Sequence, residues 1–212
     1  MTVNNSIVFV VDDDQAMRRS MEMLIGSVGL HVETFPSAQE FLRVYDPNQP
    51  GCMVLDVRMP GMSGLELQTT LRERNIDLPI IMVTGHGDVP VAVQALKNGA
   101  FEFLEKPFSA QILLEYIHDA LHRDMENRLQ RSKQDDIVNR LATLTERERQ
   151  VMDQVVVGKV NKEIAASLGL SKKTIEVHRA HVMRKLKVDT LAELVELAVT
   201  KRLAPASNSA SV

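Results

Sequence analysis

The stretch Ile7-Val-Phe-Val-Val-Asp-Asp-Asp14 decides how the first half of the chain is read. An apolar, mainly β-branched run passes without polar alternation into three carboxylates. Such a run fits a strand buried on both faces, as in a parallel sheet covered by helices. Working outward, Cys52-Met-Val-Leu55 and Ile80-Ile-Met-Val83 repeat the pattern, Phe101-Glu-Phe-Leu104 reads as a further strand, and half-apolar His31-Val-Glu-Thr-Phe35, second in chain order, completes five. Segments 15–29, 37–44, 63–73 and 89–97, and the chain from 109 onward, carry helical spacing. Two of them open on the capping boxes Ser37-x-x-Glu40 and Ser63-x-x-Glu66. The expectation is an α/β domain, a (βα)5 doubly wound parallel sheet. Such sheets bind ligands beyond the carboxyl ends of their strands, where the strand order reverses.

Composition bounds the rest. With 212 residues, 44% hydrophobic and 25% charged, and only 10 Gly and 8 Pro, the chain can bury normal cores and is neither collagen-like nor disordered throughout. Its apolar runs fall far short of the roughly 20 residues of a membrane span, and no basic n-region precedes the first of them. Neither a membrane segment nor a secretory leader is expected. A lone cysteine, Cys52, cannot close an internal disulfide, which fits a cytoplasmic protein, and its apolar surroundings make it a small core hydrophobe. The net charge of −3 is unevenly shared: residues 1–124 hold 9 Lys/Arg against 17 Asp/Glu, and residues 125–212 hold 16 against 11. The two halves therefore call for different partners, and the basic one is compatible with nucleic acid.

The second half carries only helical signals. Thr145-x-x-Glu148 and Thr190-x-x-Glu193 read as capping boxes, Gly158 and Gly169 as helix terminators, and Ser171 as the start of the next helix. Residues 125–143 read as a polar helical linker, in which Ile137 and Leu141 keep an i, i+4, i+7 apolar spacing that runs on to Leu144 just beyond it. The Ser/Ala-rich tail 204–212 is expected to be disordered.

The carboxylates carry the chemistry. Asp12, Asp13 and Asp14 follow the first strand and Asp56 closes the third, so all arrive at one edge of the sheet. Converging carboxylates repel one another unless a cation neutralises them, and Mg²⁺, a hard ion preferring oxygen ligands, suits such a site. Asp14 is set apart as the N-cap of the helix that begins at Gln15. Thr84 after the fourth strand and Lys106 after the fifth bring a hydroxyl and an ammonium to the same edge. Singly, these read as a turn residue and a solvated charge. Together they describe phosphoryl transfer to Asp56 as carboxylate nucleophile. Mg²⁺ and Lys106 would neutralise the equatorial oxygens, and Thr84 would hydrogen-bond one of them. Pro107 restricts the backbone of Lys106 away from the α region, which helps aim that side chain.

Val10-Val-Asp-Asp-Asp14, Leu55-Asp-Val-Arg-Met-Pro-Gly61, Val83-Thr-Gly85 and Glu105-Lys-Pro107 together resemble the receiver domain of two-component response regulators, in the correct order through residues 1–124. The resemblance implies that Asp56 is the phosphoacceptor. Asp13 would be a direct Mg²⁺ ligand, Asp12 a second acidic ligand acting partly through water, and the backbone carbonyl of Arg58 a further ligand. Phe103 matches the aromatic whose rotamer couples with Thr84, against its reading as an ordinary strand-packing residue. A phosphatase of the Asp-nucleophile type would carry a second Asp two residues after Asp56. Arg58 stands there, so the chain is expected to be no enzyme beyond slow hydrolysis of its own acyl phosphate.

Segments 161–168 and 172–186, joined through Gly169-Leu-Ser171, form a helix-turn-helix pattern. Ile164, Ala165 and Leu168 with Ile175, Val182 and Leu186 supply the shared apolar face. The opposite stripe of the second helix holds Lys173, Glu176, Val177, Ala180 and Arg184 for a major groove. Lys172, Lys173, Arg179, Arg184, Lys185 and Lys187 surround that stripe as candidates for phosphate contacts. Leu144-Thr-Glu-Arg-Glu-Arg-Gln-Val151, Asn161-Lys-Glu-Ile-Ala165 and Thr174-Ile-Glu-Val-His178 resemble the LuxR-type DNA-binding domain, expected over 144–203. The two domains together resemble the FixJ-like subgroup of response regulators. By that resemblance Thr174 joins the DNA-binding set. Many LuxR-type domains carry lysines where Glu176 and Ala180 stand here. Glu176 can accept from a cytosine amino group, and Val177 can touch a thymine methyl. The resemblance implies a transcription factor phosphorylated by a sensor histidine kinase, dimerising through helix 89–97 and strand 101–104, binding double-stranded promoter DNA, and activating transcription with RNA polymerase as a partner. The rival reading is a receiver acting by protein contact, with the helical domain as a docking module.

Overall fold

The computed structural model describes residues 5–85 and 89–203. The tail 204–212, expected to be disordered, lies outside the described residues. In chain order come β1 (Ile7–Val11), α1 (Gln15–Ser27), β2 (His31–Phe35), α2 (Ala38–Val44), β3 (Gly51–Asp56), α3 (Gly64–Glu73), β4 (Ile80–Thr84), α4 (Val89–Lys97), β5 (Glu102–Glu105) and α5 (Ala110–Ala142). Then follow α6 (Glu146–Val156), α7 (Asn161–Leu168), α8 (Lys172–Leu186) and α9 (Leu191–Leu203). The chain divides into two compact units, the first ending at Arg128 and the second beginning at Leu129.

In the first unit all strand pairings are parallel, and the strand order is β2-β1-β3-β4-β5. The expected doubly wound α/β sheet is present, and its order reverses between β1 and β3. Strand side chains alternate faces, and the two buried clusters follow that alternation. Phe9, Val11, Met53, Leu55 and Met82 pack with Phe41 of α2, Leu67 and Leu71 of α3 and Ala95 of α4. Val8, Val10, Cys52, Val54, Ile81 and Val83 pack with Met21 and Ile25 of α1 and Leu113, Ile117 and Leu121 of α5. Burial on both faces explains why β1, β3 and β4 read as unbroken apolar runs.

The helix starts refine the capping expectations. Ser63 and Glu66 close a full box: Ser63 N–H donates to Glu66 Oε2 at 2.8 Å, and Glu66 N–H to Ser63 Oγ at 3.3 Å. At Ser37 the hydroxyl accepts from Glu40 N–H at 3.3 Å, and only that half of the expected box is formed. Thr190 Oγ1 accepts from Glu193 N–H at 3.2 Å as expected, and the Glu193 carboxylate also reaches past Thr190 to accept from Asp189 N–H at 2.8 Å.

The polar start of the expected linker belongs structurally to the first unit. Asp124, buried in α5, accepts from Gly51 N–H at 2.9 Å and from Arg128 Nε at 2.8 Å. Arg128 also donates to the carbonyls of Pro47, Asn48 and Gln49 at 3.2, 3.0 and 2.8 Å. A guanidinium with five donors can hold both a carboxylate and a turn of backbone.

In the second unit, Ile164, Ala165, Ile175, Val182 and Leu186 are buried with Val151, Met152, Val155, Leu194 and Leu197. Leu141 and Leu144 are buried in that core and Ile137 packs against it, so the core takes in Ile137 and Leu141, which the sequence reading placed in the linker. Gly169 ends α7 at φ 67, a left-handed conformation that glycine adopts without Cβ strain.

Candidate functional site

The carboxyl ends of β1 and β3 flank the switch point of the sheet, and Asp12 and Asp56 stand there at 1% and 6% exposure. Two desolvated carboxylates side by side are unfavourable without a counter-charge. Lys106, carried in after β5, supplies one: its Nζ donates to Asp12 Oδ2 at 2.8 Å and to Asp56 Oδ1 at 2.7 Å. The other oxygens accept backbone amides, Asp12 Oδ1 from Asp14 at 2.8 Å and Asp56 Oδ2 from Arg58 at 2.7 Å. Burial pushes the Asp56 carboxyl above the ordinary aspartate value, partly offset by Lys106 and the Arg58 amide. Burial pulls the Lys106 ammonium down, but its bonds to Asp12 and Asp56 outweigh this and hold it above the ordinary lysine value.

Neighbouring elements fix the frame. Lys106 N–H donates to the Thr84 carbonyl at 2.7 Å, which ties β5 to the end of β4, and the Lys106–Pro107 peptide is cis. Thr84 is 1% exposed. Gly64 begins α3 against the backbone of Asp56; a Cβ there would lie 2.3 Å from the Asp56 carbonyl oxygen, so no larger residue fits without displacing the loop. Asp14 caps α1, its Oδ1 accepting from Ala16 and Met17 amides at 2.7 and 3.4 Å, as its separate reading required. Phe103 is partly buried against the cluster containing Met82 and Ala95.

The expected metal ligands are only partly gathered. Asp12 and Asp56 share Lys106, whereas Asp13 is exposed. Among the described residues no three His, Cys, Asp or Glu side chains form a metal-binding group. The donor chemistry nevertheless suits Mg²⁺. Asp12 and Asp56 offer oxygens alone, each carboxylate oxygen can accept more than one partner, and a single ammonium leaves their charge incompletely balanced.

On α8 the stripe Lys173, Glu176, Val177, Ala180 and Arg184 is exposed, as is Lys172, while Ile175, Val182 and Leu186 face the core. Thr174 Oγ1 lies 2.8 Å from Ser171 Oγ at the helix start. Two of the basic candidates have structural partners. Arg179 is half-buried and donates to Asn161 Oδ1 at 2.7 Å. Lys185 Nζ donates to Glu148 Oε2 at 2.6 Å and to the Thr143 carbonyl at 3.0 Å. Glu148 is therefore more than half of a capping box. It is 3% exposed, also accepts from Thr145 N–H at 2.8 Å, and has His181 Nδ1 at 3.6 Å. Burial opposes its ionisation, but Lys185 and Thr145 prevail and hold its pKa down at about 2. A sequence shows the acid three residues after Thr145; it gives no sign that the acid is buried beneath α8.

Residues 8–118 match the response regulator receiver domain, and residues 142–198 match the luxR family of bacterial regulatory proteins. The chain belongs to the response regulators that join a receiver to a LuxR-type DNA-binding domain. It is 46% identical to Transcriptional regulatory protein FixJ of Azorhizobium caulinodans over 95% of this chain and 96% of that one. It is 46% identical to Nodulation protein W of Bradyrhizobium diazoefficiens over 92% of this chain and 86% of that one. Among solved structures, response regulator StyR has a TM-score of 0.87 at 46% identity, covering 92% of this chain and 99% of its own. Full-length FixJ from B. japonicum has a TM-score of 0.57 at 42% identity, covering 94% and 98%. No helix among the described residues is long and apolar enough to cross a membrane.

Proposed function

We propose that Asp56 accepts a phosphoryl group from a sensor histidine kinase, and that this modification switches DNA binding by the C-terminal domain. The observation that carries the reading is the Lys106 ammonium spanning Asp12 and Asp56 at the switch point of the sheet. An ammonium so placed can turn from the carboxylate to the equatorial oxygens of an arriving phosphoryl group, with Thr84 donating to one of them. Asp12, Asp13, Asp56 and the Arg58 carbonyl would hold Mg²⁺, which supplies charge neutralisation when bound. The chain works as a regulator, and its own contribution to turnover is limited to slow hydrolysis of its acyl phosphate.

Phosphorylation would favour pairing of two copies through α4 and β5, with Phe103 and Thr84 linking site to surface. Val89, Val93 and Leu96 give α4 an exposed apolar side that supports this surface. A dimer engages two half-sites of promoter DNA at once, which raises affinity without new contacts. Lys172, Lys173, Thr174, Arg179 and Arg184 would position the duplex, while Glu176, Val177 and Ala180 face the bases. The name of one relative, Transcriptional regulatory protein FixJ, supports a role in transcription; activation in the cytoplasm with RNA polymerase as a partner completes the proposal. The proposed domain limits remain 1–124 for the receiver, 125–143 for the linker and 144–203 for the DNA-binding domain, with Arg128 at the linker's start held by the first unit and Ile137 and Leu141 at its end packed in the second core. Intact-mass measurement after incubation with acetyl phosphate and Mg²⁺ tests the central step: one phosphoryl group is added to the wild-type chain and none to Asp56→Asn. Equal labelling of both would overturn the assignment.

A further inference from the structure

The C-terminal end of α8 is held by a segment that the linker reading would leave idle. The last carbonyls of a helix have no intrahelical donor. At the end of α8 the Met183 carbonyl is taken by Val188 N–H at 3.1 Å and the Arg184 carbonyl by Lys187 N–H at 3.3 Å. The Leu186 carbonyl accepts instead from Arg140 Nη1 at 3.0 Å, a side chain of α5. Arg140 is steadied on its own helix by Asp136. The contact is returned: Lys185 on α8 donates to the Thr143 carbonyl just past the end of α5, at 3.0 Å. Leu141 and Ile137 add apolar contact in the core that also contains Leu186 and Val188. Each helix end thus supplies the donor that the other end lacks, and a positive group sits at the negative pole of α8.

We propose that Arg140 is a positioning residue for DNA recognition: it locks the C-terminal turn of α8 to the end of α5, and so sets the angle at which Glu176 and Val177 are presented, without touching DNA. The inference rests on α8 being the recognition helix. Base contacts need bidentate or close apolar geometry and lose discrimination when a helix tilts, whereas phosphate contacts through long lysines tolerate the tilt. Losing Arg140 should therefore cost sequence discrimination more than general affinity.

The test uses the full chain, one duplex selected by the wild-type protein from a random-sequence pool, and a scrambled duplex of the same composition, each titrated across a range of salt. Partial unfolding weakens binding to both duplexes by the same factor, so the ratio of the two affinities is blind to a merely structural loss. Arg140→Met should lower that ratio about tenfold while the salt slope on the scrambled duplex stays at the wild-type value. A ratio within twofold of wild type overturns the proposal, and so does a slope reduced by about one, which would place Arg140 on a phosphate. Arg140→Lys keeps the charge and loses the reach of the guanidinium. It should lower the ratio by about threefold, and it decides the matter alone if Arg140→Met does not fold. Glu176→Ala and Val177→Ala are controls on the underlying reading. If neither changes the ranking of duplex variants, α8 is not the base-reading helix and that reading fails; if they do and the Arg140 variants leave the ratio intact, only the positioning role fails.

Discussion

Replacing Glu148 by glutamine tests whether the buried acid beneath α8 holds the DNA-binding unit together. Its carboxylate accepts from Lys185 Nζ at 2.6 Å and from Thr145 N–H and Oγ1 at 2.8 and 3.1 Å, with the side chain 4% exposed. Glutamine keeps the shape but has one acceptor oxygen, and its amide must face a lysine ammonium or a backbone N–H. Losing one charged hydrogen bond and half of a cap costs about 3 kcal/mol at pH 7. For a unit of this size that lowers its melting temperature by about 10–20 °C. The sign with pH follows from a folded pKa of about 2 against an ordinary 4.5. The stabilisation is complete above the unfolded value and is lost as pH falls toward the folded one. The gap between wild type and Glu148→Gln should thus be full at pH 7 and below half that size at pH 3. Differential scanning calorimetry of the full chain reads this directly, with the receiver transition as an internal standard that should not move. A gap under 1 kcal/mol at pH 7, or one unchanged at pH 3, would refute the ion-pair account.

Other outcomes follow from separate parts of the molecule. Phosphoryl uptake should collapse in excess chelator and in Asp13→Ala while far-UV circular dichroism stays unchanged, because Asp13 is exposed at a strand end and supports no core; normal labelling under either condition would exclude the metal role. Arg128→Met should destabilise the receiver by about 3 kcal/mol in urea unfolding, since it strands the buried Asp124. Its folded fraction should still take up phosphoryl at the wild-type rate. Lys172→Ala should weaken binding to all duplexes and lower the salt slope by about one, whereas Glu176→Ala should reorder base preference at constant slope; the reverse pattern would show that α8 is turned the other way.

Strand ends were legible from sequence because the information there is local. An apolar run buried on both faces must stop where carboxylates begin, and a parallel sheet sends every such stop to one edge, so Asp12, Asp56, Thr84 and Lys106 group together on sequence alone. The shared apolar face of α7 and α8 was legible for a similar reason, since helical spacing puts Ile175, Val182 and Leu186 on one side. Charged partners could not be read in this way. Lys185 meets Glu148 across 37 residues, Arg140 meets Leu186 across 46, and Arg128 meets Gln49 across 79. Nothing in the identity of a lysine or arginine distinguishes a solvated charge from one that caps a distant helix or holds a buried acid. Period and strand-end chemistry, set by neighbours along the chain, determined the two folds and the acidic pocket; only tertiary packing decided which charges are structural, because burial and pairing energies depend on where the whole chain excludes water.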